Sequence, residues 1–411
     1  MPTTSTSLHW QTPDSTILWL CLAPMGLGQV ALCALDAAQN GGFFFLLPLG
    51  LFTVLLTLPL RLAELALGRR AQKGLVEGMA TLTREADAHR LFRLWSWFSL
   101  VALALAFGLS SLNTAWSLSF LLHLATTTQP HLLDFSLVAL RWQLLPGLLV
   151  ALTIGTILAE RRWAGLRNVV RTTAGLALLC LLLLLISGAH WPLDNPHRLT
   201  EGTTWTLALR DALLLGAGGF GVWYSAGACT PRSSSLLTPA LYALPLTLLA
   251  IGSLMPVFNP TLPLTVTSPA QTLLLSIPRS LSYGSVMTNL CWHGFCAITG
   301  LMAMIACLEP LQQVLLDKHC SARKSLFFAL VAGLVGISLF LIPFTGQLLN
   351  VIIILLAMLL SVFCGWAMKI SHLRKTLQLP DEWRYNLWRI AVRIAIPIAA
   401  LTLLAHFRLL L

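Results

Sequence analysis

Apolar residues fall in eleven long blocks, separated by short polar or Pro- and Gly-bearing stretches. The blocks cover approximately 17–38, 43–68, 94–124, 142–159, 168–189, 205–230, 236–257, 285–316, 325–344, 347–371 and 383–408. About 20 mainly apolar residues suffice to cross a bilayer as a helix, so the pattern predicts eleven spans. Two of them do not read as continuous helices. In the first, Pro24, Gly26 and Gly28 lie within five positions. In the sixth, Gly216, Gly218, Gly219 and Gly221 interrupt the apolar run. Proline removes a backbone donor, and glycine costs roughly 1 kcal/mol against alanine inside a helix. In lipid, freed backbone groups are tolerated only where protein or a watery cavity receives them. Taken singly, each interruption is either a packing kink or a broken helix facing a solute site. Taken together they occupy corresponding positions of two five-helix halves, the pattern of an inverted-repeat secondary transporter. An odd number of spans per half also sets the halves in opposite orientations.

The predicted organisation follows directly. Residues 1–16 are a polar N-terminal tail, 17–189 the first five-helix repeat, and 190–204 an outer loop. Residues 205–371 form the second, inverted repeat, and 372–411 hold a loop and the eleventh helix. The first span is too long and too interrupted for a cleaved signal, so it is expected to be retained. The fold class is all-α and polytopic.

Composition agrees with this pattern. Of 411 residues, 57% are hydrophobic and only 10% charged, with a mean hydropathy of +0.80. Soluble domains carry about a quarter charged residues. The net charge of +11 would suit a nucleic-acid binder, so its placement decides the matter. With the N-terminus cytoplasmic, twenty of the 26 basic residues fall on inner loops and helix ends, from Arg69, Arg70 and Lys73 through Arg161 and Arg162 to Lys369 and Arg374. Arg141, Arg198, Arg210, Arg279 and Arg408 fall outside, and Arg61 lies within a span. That is the positive-inside bias of an inner-membrane protein, with the C-terminus outside; nucleic acid is not implied. The cysteines, among them Cys180, Cys296, Cys307 and Cys364, lie mostly in apolar spans without metal-type spacing and read as buried thiols. No nucleophile–base pair, phosphate loop or metal cluster is visible, so an enzyme is not expected.

Polar residues inside the spans are the remaining candidates. Arg61 and Glu64 are three apart on one face of the second span, so they either neutralise each other or serve a polar interior. Ser110, Ser111, Asn113 and Thr114 in the third span either line a cavity or bond neighbouring helices. His293 is alone in an apolar helix, where a packing role is the commoner one. Glu309, Gln347 and Asn350 complete the set.

These residues have a familiar arrangement. Gly26-Leu27-Gly28, Asn40-Gly41-Gly42, Pro48, Pro59-Leu60, Glu64 and Leu67-Gly68-Arg69 resemble, without a gap, the first two helices of the neurotransmitter:sodium symporter family. Trp116, Gly219-Phe220-Gly221, Gly300-Leu301, Glu309-Pro310 and Arg393-Ile-Ala-Ile-Pro397 follow in family order. The resemblance covers essentially the whole chain. It implies the LeuT-type fold, alternating access and transport of an amino acid or related amine. By position it implies a pocket lined by Pro24, Gly28, Ser110, Leu214, Ala217, Phe220, Ala303 and Cys307. Gly26, Gly218 and Gly219 would form the breaks, and Glu64 would hold the unwound backbone.

The departures from the family are equally specific. Its sodium sites take side-chain oxygens at positions that here read Ala23, Gln29, Leu215, Met302 and Ala303. Its substrate-carboxylate tyrosine reads Ser110, and its outer-gate arginine reads Leu32, with no acid on the tenth helix to pair with it. Weak or absent sodium coupling is therefore expected, with no other cofactor. Membrane carboxylates are functional suspects by default. Asp36 and Asp211 are the better pair of proton carriers because they sit in the outer halves of the two broken helices, and outer-vestibule solvation is the plain alternative. Glu64 and Glu309 follow. The expected function is transport of a small amino-acid-like or amine solute, with the lipid bilayer and a homodimer partner as its surroundings. The alternative is a transport-inactive relative acting as a solute sensor or scaffold.

Overall fold

The computed structural model describes residues 19–20, 22–23, 29–126, 144–160, 166–186, 194–215, 218–231, 233–257, 286–339, 342, 345–379 and 381–406. The N-terminal tail, Pro24, Gly26 and Gly28 of the first break, Gly216 and Ala217 of the second, and the loop over 258–284 lie outside the described residues. Among the described residues every element is helical.

The spans stand close to where the hydrophobic blocks predicted them. The first contributes Gln29–Gln39. The second runs from Gly42 to Ala71, the third from Leu94 to Thr126, and the fourth and fifth are Leu144–Glu160 and Arg167–Ile186. The sixth is split into Gly202–Leu215 and Val222–Ala228. Leu237–Leu254, Val286–Leu316, Ala322–Leu339 and Thr345–Ala367 are the seventh to tenth, and Glu382–Ala405 is the eleventh. Eight of these helices are long and apolar enough to cross a membrane by length and composition. The polar stretch after Arg69 folds as the surface helix Leu75–Glu85. The tenth span stops earlier than its hydrophobic block, because Lys369 turns extended (φ −64°, ψ 128°) and starts a separate helix, Ile370–Leu377.

The second span starts on a turn that only small residues fit. Gly41 and Gly42 have φ of 115° and 64°, values that favour glycine. Asp194 from the outer loop accepts a hydrogen bond from the Phe43 N–H at 2.9 Å, and a Cβ on Gly42 would lie 2.4 Å from that carboxylate. The carboxylate supplies one of the acceptors a helix N-terminus lacks.

The third and eighth spans are the most enclosed and pack most extensively on each other, while the fifth and ninth are mostly at the surface. Small residues permit the closest crossings. A Cβ on Gly68 would sit 2.0 Å from the Tyr224 carbonyl oxygen, and one on Gly227 would sit 2.2 Å from the Leu65 carbonyl oxygen. The second span and the Val222–Ala228 piece of the sixth therefore meet backbone to backbone, as small residues allow in membrane bundles. Outward, Leu47, Leu149, Ile186, Phe327 and Ile398 are more than half exposed. Large apolar side chains facing outward along several helices fit hydrocarbon as the surrounding solvent.

Candidate functional site

The site is built around the break in the sixth span. Gly219 and Gly221 have φ of 98° and 110°, so the chain turns where a side chain would be strained. A Cβ on Gly219 would also lie 3.0 Å from Ala357 Cα on the tenth span. Leaving the helix strands backbone N–H and C=O groups in apolar surroundings, where each needs a partner. Glu64 supplies the acceptors. It is wholly buried on the second span and accepts from the N–H of Gly219, from that of Gly221 at 2.6 Å and from that of Tyr224 at 3.1 Å. The carbonyl of the same Gly219 accepts from Trp95 Nε1 at 2.7 Å. Trp95, at the start of the third span, was not singled out from the sequence, and only its fully buried position among helix neighbours gives it this role.

Arg61 and Glu64 do not neutralise each other. The Glu64 carboxylate meets backbone amides, and the Arg61 guanidinium stacks over the Trp223 ring at 4.7 Å. A buried carboxylate needs donors and a buried guanidinium needs electron density, and amides and an indole face provide these.

The predicted pocket residues that lie within the described structure are all buried: Ser110, Leu214, Phe220, Ala303 and Cys307 are each at most 1% exposed. Ser110, Ala303 and Cys307 sit on the two spans that pack most extensively on each other, where a Cβ on Gly300 would lie 2.2 Å from Thr114 Oγ1. The hydroxyl patch of the third span bonds within its own helix. Ser110 donates to the Ala106 carbonyl at 2.8 Å, Ser111 to Phe107 at 2.7 Å and Thr114 to Ser110 at 2.7 Å. Gly218 packs against Leu60, which a Cβ would approach to 3.3 Å. Glu309 is buried toward the C-terminal end of the eighth span. His293 stacks on Phe120 with ring centroids 3.9 Å apart, in agreement with a packing role. A separate apolar groove of about 500 Å³, lined by Phe52, Pro59, Leu387, Trp388 and Ile398, shares none of the predicted pocket residues.

The positions matching the family's sodium ligands carry no hard oxygen on their side chains except at Gln29. Ala23, Leu215, Met302 and Ala303 are each at most 1% exposed and apolar. Gln29 turns its amide to the tenth span and donates from Nε2 to Asn350 Oδ1 at 3.3 Å. These side chains do not fit a sodium ion, which needs several oxygen ligands. Among the described residues no cluster of His, Cys, Asp and Glu has metal-site geometry.

Asp36 and Asp211 are largely enclosed and not solvated as in an open vestibule. Asp36 and Asp211 are joined by Arg210, whose side chain is 13% exposed, against 14% for Asp36 and 2% for Asp211. Arg210 Nη2 donates to Asp36 Oδ2 and to Asp211 Oδ1, the latter at 2.8 Å, and Arg210 Nε reaches Asp211 Oδ1 at 3.0 Å. Arg210, counted among the outside charges, is thus the centre of a largely enclosed ion triad linking the first and sixth spans.

Membrane-length helices around a broken span held open by a buried carboxylate make the chain a multi-pass membrane protein of the LeuT-type fold. The structure is similar to the crystal structure of MhsT in complex with L-phenylalanine, with a TM-score of 0.79 over 97% of this chain and 99% of that one. The two sequences are 18% identical, so the likeness speaks for the fold. No protein-family model and no curated protein matches the sequence.

Proposed function

We propose that the chain is a secondary transporter that moves a small amino-acid-like or amine solute by alternating access around its broken first and sixth spans, without strong sodium coupling. The observation that carries this reading is the break at Gly218–Gly221, whose amides are held by Glu64 and whose carbonyl is held by Trp95. A scaffold has little use for a helix opened and then stabilised in this way, whereas a transporter uses such a break to face a solute. The fold neighbour holds L-phenylalanine, in keeping with a solute of that class. Ser110, Leu214, Ala217, Phe220, Ala303, Cys307, Pro24 and Gly28 are the proposed lining, with Gly26, Gly218 and Gly219 at the breaks. Their small and apolar side chains favour a neutral solute. Ala23, Leu215, Met302 and Ala303 favour sodium independence. The positive-inside bias favours a bacterial inner membrane with the N-terminus cytoplasmic.

Uptake into proteoliposomes from a pool of amino acids tests the reading, with sodium, potassium or a pH gradient as the only variable. The expected result is uptake indifferent to sodium. Sodium-stimulated uptake overturns the coupling claim, no uptake under any condition moves the weight to a sensor or scaffold, and no binding of any amino acid or amine overturns the solute class.

A further inference from the structure

The outer halves of the two broken spans hold two carboxylates and one guanidinium. Asp36 and Asp211 both bond to Nη2 of Arg210, so their oxygens converge on a single nitrogen. The triad is at most 14% exposed at any member and carries a net charge of −1. Two features add to that excess. Asp36 lies in the last turn of Gln29–Gln39, where the helix carbonyls already place negative potential. Asp211 Oδ2 is buried without an N–H donor on it, and the buried Cys33 thiol beside the carboxylate is only a weak donor.

The neighbouring elements supply no second cation. Among the described residues, the elements packed on these two half-helices are 42–57, 196–200, 237–257, 345–362 and 396–405. Their titratable groups are His197, Arg198 and Tyr242. Arg198 is paired with Glu201 at 2.8 Å, and Tyr242 is 56% exposed. Cys33, buried on the same half-helix as Asp36, is a weak donor without charge. One guanidinium neutralises one of these two largely enclosed carboxylates, and like charges held close together favour uptake of a proton by the pair.

We propose that Asp36 and Asp211 form a proton-binding site, with one proton shared by two carboxylates that meet at Arg210. Binding converts one carboxylate to a carboxylic acid whose O–H bonds to the other carboxylate, and the triad goes from net −1 to neutral. Release to water restores the charge. The coupling of this step to solute movement rests on the transporter reading above; the site itself does not.

Infrared difference spectroscopy of the purified protein, stepped in pH, reads the site without any transport. The expected result is a protonated-carboxyl C=O band that shifts in D2O and is lost from the wild-type spectrum in both D36N and D211N. Each of those variants leaves one carboxylate facing Arg210, which is already neutral. R210Q leaves two carboxylates with no cation, so its band persists to higher pH than in wild type. R210K, which keeps the charge, is expected to titrate like wild type and controls for misfolding. Superimposable spectra of wild type, D36N and D211N overturn the proposal, as does an R210Q band lost at lower pH. Proteoliposome uptake under a proton gradient is measured separately. Absence of uptake with the infrared result intact sinks the transporter reading and leaves the proton site standing.

Discussion

Glu64 is the side chain whose removal has the most computable consequence. The amides of Gly219, Gly221 and Tyr224 bond to its fully buried carboxylate. In Glu64→Ala all three donors are left buried and unpaired. A buried polar group without a partner costs about 1–3 kcal/mol, so the sum is about 3–9 kcal/mol. Glu64→Gln is milder. Its oxygen takes the place of Oε1 and keeps Gly221 and Tyr224, but its NH2 then faces the Gly219 N–H. One orphaned donor and two bonds that lose their charge give about 3–5 kcal/mol. The assay is thermal unfolding in detergent followed by a thiol-reactive fluorophore, which reports exposure of the buried Cys33, Cys180, Cys291, Cys307 and Cys364. Domains of 150–250 residues lose roughly 2–4 °C per kcal/mol, so Glu64→Ala is expected to melt on the order of 10 °C lower, with Glu64→Gln between it and wild type. A Glu64→Ala protein that melts with wild type would refute the reasoning, because the three amides would then have an acceptor other than Glu64.

Four further outcomes are expected. Trp95→Phe keeps most of the ring packing and leaves the buried Gly219 carbonyl without its donor, lowering stability by about 1–3 kcal/mol in the same melt. Gly68→Val drives a side chain into the Tyr224 carbonyl and is expected to abolish the monodisperse peak in size-exclusion chromatography. Ligands that bind only the folded state stabilise by RT ln(1 + [L]/Kd), so exchanging potassium for sodium is expected to leave the melting temperature unmoved, and a sodium-dependent rise would show a site that the apolar Met302, Ala303 and Leu215 do not suggest. On the surface helix Leu75–Glu85, hydrogen bonds from Arg70 hold the Glu85 carboxyl below the usual range, and His372 lies 2.9 Å away. A depressed carboxyl stabilises above its unfolded value and loses that contribution as pH falls through the folded one. Glu85→Gln is therefore expected to weaken hydrogen-exchange protection of 370–377 at neutral pH and to match wild type in acid.

The fold was largely legible because hydrophobic length is a property of the chain itself. A helix must cross a fixed thickness of hydrocarbon, and the block boundaries came within a few residues of the helix ends. The sixth-span break was legible for a related reason: four glycines in six positions, in a place where backbone must be satisfied by protein. What was not legible depends on partners far apart in sequence. Arg210 read as an outside charge at the start of the sixth span because nothing local says that Asp36, 174 positions earlier, will bond to it. Arg61 and Glu64 read as a pair because they share a helix face, yet each turned to the sixth span. Trp95 carried no signal at all, and Asp194 gave none of its capping role.

These misses have a common form. Each involves a charge or N–H that the sequence places at membrane depth or at its edge, and each is resolved by the broken sixth span or the helix beside it. Glu64 and Trp95 hold the break, Trp223 covers Arg61, and Arg210 gathers the outer carboxylates. In a helix that keeps its own hydrogen bonds, a buried charge depends on side chains alone, of opposite sign or with an aromatic face. An opened helix offers bare amides and carbonyls as well, so it can accept charged residues that a continuous span would exclude. The number of unexplained ionisable residues in a membrane sequence is then itself a pointer to where its helices break. Here Asp36, Arg210, Asp211 and Glu64 all lie on or against the two interrupted spans.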